Sequence, residues 1–562
     1  TLDWVVIGIF FLALIGIIVW VVKQKQNDSA DYFLGGRDAT WLAIGASIFA
    51  SNIGSEHLIG LAGAGASSGM AMAHWEIQGW MILILGWVFV PFYSRSMVYT
   101  MPEFLERRYN PQSRTILSVI SLISYVLTKV AVTVYAGGLV FQQVFGIKEL
   151  WGIDFFWIAA IGLVVLTALY TIFGGMKSVL YTSVLQTPIL LLGSLIILVL
   201  GFKELGGWDE MMSICSAVTV NEYGDTMTQL IRDNNDPNFP WLGALVGSAI
   251  IGFWYWCTDQ FIVQRVLSGK NEKEARRGTI FGAYLKLLPV FLFLIPGMIA
   301  FALHQKYIGA GGEGFLPLLA NGTANADAAF PTLVAKLLPA GVKGLVVCGI
   351  LAALMSSLAS LFNSSAMLFT IDFYKRFKPE TPEKKLVGIG QIATVVIVIL
   401  GILWIPIMRS VGDVLYTYLQ DVQSVLAPGI AAAFLLGICW KRTSAKGGMW
   451  GLIAGMIIGL TRLGAKVYYS NTAITDSSMF KYLFYDLNWL FFCGWMFLFC
   501  IIVVIAVSLM TEAPSAEKIQ GLVFGTSTPE QKAATRASWN HWDIIHTVII
   551  LAITAAFYWY FW

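Results

Sequence analysis

Long apolar runs recur along the whole length of this sequence. Its residues are 57% hydrophobic and 12% charged, whereas a soluble protein has about 25% charged residues. Apolar runs of about 20 residues are long enough to cross a bilayer as helices. The chain is therefore predicted to be an all-α polytopic membrane protein with about 14 transmembrane helices. We place the runs at residues 3–22, 41–66, 75–93, 115–145, 152–173, 178–202, 239–266, 278–305, 342–374, 386–408, 413–440, 448–468, 486–511 and 541–561.

The basic residues between these runs predict the orientation of the chain. They cluster at Lys23 and Lys25, at Arg95, Arg107, Arg108 and Arg114, at Lys177, at Arg265, Lys270, Lys273, Arg276 and Arg277, at Lys375, Arg376, Lys378, Lys384 and Lys385, and at Lys441, Arg442 and Lys446. With the spans above, every cluster falls on one side, which is the cytoplasm by the positive-inside rule. Both termini are then extracellular or periplasmic, and the location is the cell membrane, inner or plasma.

The sequence also argues against several classes of function. A net charge of +3 gives no bulk basicity for a nucleic-acid partner. The six cysteines are scattered without a CxxC pair, so neither a disulfide framework nor a zinc site is indicated. HExxH, GxSxG and Walker-loop motifs are missing, which argues against a membrane enzyme and against an ATP-driven pump. A channel would need rings of charge or carbonyl filters in a symmetric oligomer.

The second apolar run is unusual for a helix that faces lipid. Residues 41–69 read WLAIGASIFASNIGSEHLIGLAGAGASSG, with Asn52, Ser55, Glu56 and His57 near the middle. Glycines weaken a helix, and polar groups at bilayer depth are tolerated where they face protein or a water-filled cavity. A Gly-rich packing face is the alternative interpretation. We favour an interrupted helix, because a packing face rarely needs a Glu-His pair.

A comparable segment follows later in the chain. Residues 241–265 read WLGALVGSAIIGFWYWCTDQFIVQR, with spaced glycines before a polar Thr-Asp-Gln triplet. The two segments open stretches of about five apparent spans each, 41–202 and 239–440. Because five is odd, the second stretch is inverted relative to the first. Interrupted helices at matching positions of two halves are typical of secondary transporters that bind substrate near the bilayer midplane.

Several stretches of the sequence resemble a known family, in the family's own order. They are GASIFASNIGSEHLIGLAGAGASSGMA, GGMKSVLYTSVLQT, WYWCTDQFIVQRVL, LMSSLASLFNSSAMLFTIDFY and LAPGIAAAFLLGICWKR. On these residues the chain resembles the solute:sodium symporter family, and within it the sodium/glucose cotransporters, from about residue 30 to 562. The resemblance implies a LeuT-like inverted repeat of 5+5 helices with a discontinuous first helix.

The resemblance also implies how the chain is divided, with a monomer sufficient for transport. The implied segments are an additional N-terminal helix and cytoplasmic loop at 1–40, the first five-helix repeat at 41–202, an extracellular loop at 203–238, the inverted second repeat at 239–440, and three additional helices at 441–562 with a cytoplasmic linker at 512–540.

Lys286 is the residue whose position in the sequence most needs an explanation. It stands in the apolar run GAYLKLLPVFLF without an acidic neighbour. A lysine inside an apolar span costs about 2.5–3.5 kcal/mol on insertion scales. Snorkelling of the ammonium group to a membrane face is the alternative to a role in a polar site. For Glu76, the alternative is a hydrated residue at a helix start.

The resemblance implies a sugar site, and a sugar needs polar side chains for its hydroxyls and aromatic platforms for its flat C–H faces. The positions implied to hold hydroxyls are Asn52, His57, Glu76, Lys286 and Gln420. The implied inner gate is Tyr255, which stacks under the sugar ring, with Trp256 beside it. The implied outer hydrophobic gate is Leu61, Trp75 and Tyr416.

Sodium is a hard cation that prefers oxygen ligands, often carbonyls freed where a helix unwinds. Serines in membrane helices also bond to the carbonyl four residues earlier, which is the alternative role for a Ser-Ser pair. The resemblance implies one sodium bound by the carbonyls of Ala50, Ile53 and Ala353 and by the hydroxyls of Ser356 and Ser357.

Three departures from relatives bear on ion count and substrate. Ser183 stands where relatives commonly carry Asp, which is associated with a second sodium site, and Ala353 replaces a third serine. Both differences predict a single sodium. Gly252 stands where a bacterial galactose relative has Asn, so one hydroxyl contact is expected to be lost.

The resemblance thus implies a secondary active transporter that works by alternating access. It would couple inward sodium flux to uptake of a monosaccharide or cyclic polyol, of the glucose, galactose, mannose or myo-inositol class, with one sodium per substrate. Sodium is the co-transported ion, and the lipid bilayer is the remaining partner. The alternative is a sodium symporter for an amino acid or organic acid. An anionic substrate would want a positive anchor, and Lys286 is countered by Glu76.

Overall fold

The computed structural model describes residues 2–24, 26–54, 56–319, 321–411, 415–470 and 478–562. Within its helices, the side chains of residues 127, 128, 139, 143, 405, 407–411, 415–421, 467 and 470 lie outside what the structure describes. The regular structure of the described residues is helical except for one small hairpin.

The helices follow one another along the chain with short connections. The α-helices are α1 (Leu2–Val22), α2 (Ser29–Leu34), α3 (Trp41–Asn52), α4 (Ala62–Ser68), α5 (Ala73–Glu76), α6 (Gly79–Ile84), α7 (Val90–Ser96), α8 (Met101–Arg108), α9 (Pro111–Ser124), α10 (Ala131–Phe145), α11 (Phe155–Leu205), α12 (Trp208–Ser216), α13 (Trp241–Gly252), α14 (Gln260–Leu267), α15 (Glu272–Lys286), α16 (Ile295–Gly309), α17 (Ala329–Leu337), α18 (Val342–Met367), α19 (Lys375–Phe377), α20 (Glu383–Val411), α21 (Leu415–Cys439), α22 (Ala445–Ser470), α23 (Met479–Lys481), α24 (Trp489–Met510), α25 (Ala516–Ile519), α26 (Pro529–Ala537) and α27 (His541–Tyr560).

Shorter elements join or interrupt these helices. Single 3-10 turns lie at Gly35–Arg37, Gly69–Met72 and Ala326–Ala328. Wider π-helical segments lie at Glu56–Leu61, Leu85–Phe89, Tyr125–Val130, Phe253–Thr258, Val290–Leu294, Leu368–Tyr374 and Tyr482–Asp486. The antiparallel strands β1 (Glu149–Leu150) and β2 (Ile153–Asp154) form the hairpin.

Eleven helical stretches of the described residues are long and apolar enough to cross a membrane. In the stretch Val342–Phe377, 89% of the most apolar 18-residue segment is buried inside the protein. In Leu2–Val22 the corresponding share is 22%. The first stretch therefore runs through the centre of the bundle and the second along its lipid-facing edge. The expected all-helical membrane protein is confirmed, and the count of about 14 crossings stays a prediction.

The longest of these stretches, α11, is bent into two arms. It has 51 residues, which at about 1.5 Å per residue is much longer than a bilayer is thick. The bend is at Gly175, whose φ of 55° and ψ of −148° leave the helical region. A side chain there would also run into the Tyr32 carbonyl oxygen. Glycine is therefore needed at this bend for both its conformation and its size.

Both helices that the sequence marks as unusual are interrupted. The helix α3 ends at Asn52, and Ile53 is extended with φ −79° and ψ 110°. The helical path resumes with the π-helical segment Glu56–Leu61 and continues as α4. In the second case, α13 passes into the π-helical segment Phe253–Thr258, after which Asp259 is extended with φ −78° and ψ 128°. Each break frees backbone groups that a continuous helix would use.

The second half of the first interrupted helix, α4, lies directly against α16. A Cβ added to Gly65 would clash with the Leu294 carbonyl oxygen, and one added to Gly297 would clash with the Ala62 carbonyl oxygen. The two glycines therefore let the backbones of α4 and α16 touch without side chains between them.

Candidate functional site

A cavity of about 90 Å³ lies where the two interrupted helices meet. Three π-helical segments contribute to it, and such segments often occur at functional sites. The cavity is lined by Asn52, Glu56, His57, Trp75, Glu76, Gln78, Lys129, Val132, Thr133, Ile251, Gly252, Tyr255, Trp256, Phe261, Lys286, Ser357, Leu361 and Gln423.

Most of the predicted substrate residues lie on this cavity wall. Those that line it are Asn52, His57, Trp75, Glu76, Tyr255, Trp256 and Lys286. Leu61 is buried, with 1% exposure, but is not among the lining residues. The side chains of Tyr416 and Gln420 lie outside the described residues. Seven of the predicted residues thus line one cavity, and the role of each residue stays a prediction.

Glu76 is at the centre of a buried group of charged and polar side chains. Its Oε2 accepts a hydrogen bond from the Lys286 ammonium at 2.6 Å. The same oxygen lies 3.2 Å from His57 Nε2. Lys286 is only 3% exposed, so its ammonium pairs with a carboxylate inside the protein and does not snorkel. The carboxylate offsets some of the cost of burying the ammonium.

His57 connects this group to the first helix break. Its Nδ1 accepts a long hydrogen bond from the Gly54 backbone N–H at 3.5 Å, and its Nε2 faces Glu76. A neutral imidazole with its proton on Nε2 satisfies both contacts. Asn52 Nδ2 lies 3.5 Å from the same Nε2. The amide of Asn52 is thus close to the ring but not held tightly by it.

Aromatic rings border the polar group on two sides. Tyr255 and Trp256 pack edge to face with their centroids 4.9 Å apart, and the Lys286 ammonium lies 5.4 Å from the Trp256 ring centroid. Trp75 stacks on Trp489 at 5.6 Å with an interplanar angle of 23°. The buried Trp75 Nε1 has no hydrogen-bond partner among the described residues. The cavity thus offers both flat apolar faces and polar groups to a ligand.

Three of the candidate sodium ligands, Ala50, Ile53 and Ser357, lie at or beside the first break. The Gly54 N–H, which would bond to the Ala50 carbonyl in a continuous helix, points to His57 instead. The extended Ile53 turns its carbonyl out of the helical ladder. Ser357 Oγ lies 3.1 Å from an ideal Cβ placed on Gly54, so α18 meets the break at this serine.

The Ser356 hydroxyl of α18 does not follow the alternative role considered from the sequence. Ser360 donates to the Ser356 carbonyl at 2.8 Å, as serines in helices commonly do. Ser356 Oγ, in contrast, is buried without a partner among the residues that the structure describes. Ser51 Oγ and Ser360 Oγ lie 2.6 Å apart and join α3 to α18 beside the site. An unused buried hydroxyl of this kind is a candidate cation ligand.

At Ser183, the position that suggested a single sodium, the hydroxyl bonds within its own helix. Ser183 is fully buried and donates to the Val179 carbonyl at 2.6 Å. No group of three or more His, Cys, Asp or Glu side chains within the described residues is arranged to hold a metal ion. At the first break, the Glu56 carboxylate lies beside the Ser357 hydroxyl, since an ideal Cβ on Gly54 would be 2.6 Å from Glu56 Oε2 and 3.1 Å from Ser357 Oγ.

A second buried ion pair was not predicted from the sequence. Lys129, in the π-helical segment Tyr125–Val130, donates to Asp259 Oδ2 at 2.7 Å. The Tyr125 hydroxyl donates to the other oxygen of Asp259. The Lys129 ammonium also lies within 5.3 Å of the ring centroids of Tyr125, Trp254, Tyr255 and Phe261. The second helix break is thus closed by an ion pair in a cage of aromatic rings.

The signal for this pair was present in the sequence. Lys129 is a lone charge in the apolar run 115–145, as Lys286 is in its own run. Its partner is 130 residues away, so the sequence alone gave no way to join them. Gln78, Glu56 and Gln423 were not predicted to line the cavity either.

Comparison with known proteins places the chain among transporters. Residues 32–455 match the model of the sodium:solute symporter family. The chain is 37% identical over 538 residues to the human sodium/myo-inositol cotransporter 2, a match that covers 93% of this chain and 79% of the relative. It is 37% identical over 529 residues to the sheep sodium/glucose cotransporter 1, covering 91% of this chain and 79% of the relative.

The fold is also similar to that of a solved transporter. A Na⁺-coupled sialic acid symporter, in a substrate-bound outward-open state, superposes with a TM-score of 0.73 and 22% sequence identity. The match covers 92% of this chain and 99% of the solved chain. At this level of identity the likeness concerns the fold alone.

Proposed function

Because the chain belongs to the sodium:solute symporter family, we propose that it couples the inward movement of sodium to the uptake of a monosaccharide or cyclic polyol. Relatives that are 37% identical over most of this chain are sodium/myo-inositol and sodium/glucose cotransporters. The transport is secondary and active, and it proceeds by alternating access to the cavity, without a chemical reaction on the substrate.

The observation that carries the choice of a neutral, hydroxylated substrate is the pairing of the two ammonium groups. Lys286 is paired with Glu76 at 2.6 Å and Lys129 with Asp259 at 2.7 Å. Neither of these two cations of the cavity wall is left to anchor a carboxylate from outside. A polyol needs many hydrogen-bond partners and no net charge, which is what such paired groups provide.

The second candidate is an amino acid or organic acid carried with sodium. His57 and the Lys286–Glu76 pair are compatible with a zwitterion, which would meet one charge of each sign. A substrate with only a carboxylate fits less well, since it would have to displace Glu76 from Lys286.

We propose that the substrate hydroxyls are held by Asn52, His57, Glu76, Lys286 and Gln420. The inner gate is then Tyr255 with Trp256, and the outer gate is Leu61, Trp75 and Tyr416. The cavity of about 90 Å³ is well below the roughly 300–1,000 Å³ typical of ligand pockets. This small volume supports alternating access, in which the protein adopts other conformations with a wider cavity to take up and release the substrate.

One sodium per substrate is proposed to bind at the first break, to the carbonyls of Ala50, Ile53 and Ala353 and the hydroxyls of Ser356 and Ser357. The Ser356 hydroxyl, which has no partner among the described residues, supports this site, and the presence of Ser183 where relatives commonly carry Asp supports a single ion. One ion crossing 100 mV supplies about 2.3 kcal/mol, and a tenfold gradient adds about 1.4 kcal/mol. Together they allow roughly several-hundredfold accumulation of substrate.

The arrangement in the membrane also belongs to the proposal. We assign about 14 crossings, with inverted repeats at 41–202 and 239–440 on the LeuT-like plan. Flanking these are the N-terminal segment 1–40, the extracellular loop 203–238 and the C-terminal segment 441–562, and one copy of the chain is sufficient. The breaks at Ile53 and Asp259, each in the opening helix of its repeat, support this division.

Contacts at the two faces support a cell-membrane protein with both termini outside. Asp3 Oδ1 accepts hydrogen bonds from Gly341 and Gly344, and Leu230 N donates to the Phe561 carbonyl near the C-terminus. The termini thus contact the loops assigned to the outer face. On the other face, Arg95 and Arg276 bond to residues of the linker 512–540. The shared basic face is the cytoplasmic one by the positive-inside rule.

The proposed function is tested by uptake into liposomes that contain the purified chain. Radiolabelled glucose, galactose, mannose, myo-inositol and proline are offered with an inward sodium gradient, and with potassium in its place. We expect sodium-dependent uptake of at least one sugar or polyol, with a Hill coefficient for sodium near 1. Uptake of proline alone would favour the second candidate, and uptake that is unchanged in potassium would refute sodium coupling.

A further inference from the structure

Gln78 is a buried cavity residue that the proposed function does not use. It lies in a short non-helical link between α5 and α6, with φ −89° and ψ 26°. Its side chain is 2% exposed and lines the cavity two positions after Glu76. A glutamine amide can donate two hydrogen bonds and accept two, so a buried one is expected to have several partners.

The amide nitrogen of Gln78 has a partner, and the oxygen has none among the residues that the structure describes. Nε2 donates to the Ser248 carbonyl of α13 at 2.8 Å. A carbonyl can only accept, so this contact fixes which end of the amide carries the nitrogen. Oε1 therefore points away from Ser248 and stands at the cavity wall beside Gly252 as an unused acceptor.

The absence of a side chain at residue 252 gives the Gln78 amide its room. An ideal Cβ on Gly252 would lie 2.5 Å from Gln78 Oε1 and 3.0 Å from Nε2. Any larger residue at this position would push the amide away from Ser248. A side chain at 252 and the present orientation of Gln78 therefore exclude each other.

We propose that Gln78 is a further substrate-binding residue, whose Oε1 accepts a hydrogen bond from one substrate hydroxyl, and that Gly252 determines specificity by leaving room for it. The missing side chain at 252 is then compensated by an amide from the link between α5 and α6. This inference rests on the proposed function, since it assigns one more contact in the same site. The hydroxyl it recognises is the one that faces α13.

The first test compares Gln78→Leu with the parent, using myo-inositol, glucose and their monodeoxy forms in the sodium-driven uptake assay. One hydrogen bond to a hydroxyl is worth about tenfold in affinity. We expect the parent to bind one monodeoxy form of its substrate about tenfold more weakly than the full substrate. In Gln78→Leu the full substrate should be weakened to the same degree, and removal of that hydroxyl should have no further effect.

The matched control is Gln391→Leu. Gln391 also donates to a backbone carbonyl, that of Ile172 at 3.1 Å, but it lies on α20 and does not line the cavity. It should keep the parent's preference among the monodeoxy forms. If Gln78→Leu keeps that preference as well, Gln78 does not bind the substrate.

The second test uses Gly252→Ala, alone and with Gln78→Ala. The added methyl should displace the amide and weaken substrate binding by about tenfold in the parent, but by much less when Gln78 is already alanine. Equal effects in both backgrounds would overturn the pairing of the two residues. Gly464→Ala is the control glycine, because nothing lies within 4 Å of an added Cβ there. A parent that carries none of the probes with sodium would instead refute the proposed function.

Discussion

The two interrupted helices border the same cavity but differ in what fills the break. At the first break, the Ala50 and Ile53 carbonyls are released from the helix and the nearby Ser356 hydroxyl has no partner in the described residues. At the second break, the Asp259 carboxylate accepts hydrogen bonds from the Lys129 ammonium, the Tyr125 hydroxyl and the Phe261 backbone N–H. In the described part of the chain, the first break turns carbonyls out of the helical hydrogen-bond pattern, whereas the second break has its own internal counterion.

This difference assigns different tasks to the two halves of the molecule. Under the proposed sodium site, a cation bound at the first break would stabilise it, so the conformation there would depend on sodium. A break that already contains an ion pair is stable without a ligand and holds the neighbouring Tyr255 in place. We infer that the first half senses the ion, while the second supplies a fixed wall for the substrate.

The largest effect is expected from Lys129→Met. Removing one partner of a buried ion pair leaves the Asp259 carboxylate uncompensated, which costs about 3–5 kcal/mol of stability. Thermal unfolding of the purified protein in detergent should show a clearly lowered midpoint. The double variant Lys129→Met with Asp259→Asn removes both charges and should recover much of the loss. A single variant as stable as the parent would mean that the second break does not depend on its ion pair.

A smaller effect, on substrate binding alone, is expected from Glu76→Ala and from Gln420→Ala. Loss of a buried polar contact costs about 1–3 kcal/mol, or roughly fivefold to a hundredfold in substrate affinity. Sodium binding should change little, because neither residue is among the proposed ion ligands. Glu530→Ala, in the linker helix α26, is the control. If both cavity variants bind substrate like the parent, the substrate site lies elsewhere.

Ser357→Ala is expected to act on sodium first. It removes one hydroxyl ligand, so the sodium concentration for half-maximal uptake should rise by about tenfold. At saturating sodium the apparent substrate affinity should recover, and without sodium it should equal that of the parent. This follows because coupling between two sites is reciprocal. Substrate titrations at several sodium concentrations test it, and a parent whose substrate affinity ignores sodium would disprove the coupling.

The smallest effect is expected from Ser183→Ala. The Ser183 hydroxyl donates to the Val179 carbonyl of its own helix, and the proposed single sodium binds elsewhere, at the first break. The sodium dependence of uptake and the charge moved per substrate should match those of the parent. A changed stoichiometry would show that a second sodium binds on this side, and the contrast between the two breaks would then be incomplete.

The sequence was most informative where residues were energetically unfavourable in an ordinary membrane helix. Glycines and polar residues in the run 41–66 predicted a broken helix, and the break is at Ile53. Lys286 alone in an apolar run indicated a role in a polar site as the alternative to snorkelling, and its ammonium is paired with Glu76 inside the protein. In both cases the unfavourable residues lie within a single apolar run, so that run alone is enough to identify them.

What the sequence did not reveal depends on contacts across long distances in the chain. Lys129 and Asp259 are 130 residues apart, and Gln78 and Ser248 are 170 apart. No local pattern joins such pairs. The π-helical segments were not predicted either, because a single widened turn has the same apolar composition as an ordinary one. These segments carry His57, Lys129 and Tyr255, so their geometry decides how the cavity is lined.

The contact between α4 and α16 has a mechanical consequence for transport. Helices separated by a layer of side chains can shear, because the side chains absorb small shifts. At Gly65 and Gly297 no such layer exists, because each glycine lies directly against a backbone carbonyl of the opposite segment, that of Leu294 or of Ala62. Close backbone packing at this contact therefore opposes sliding of α4 along α16. A tilt of α4 is therefore expected to move α16 with it, so two helices would move together when access to the cavity changes.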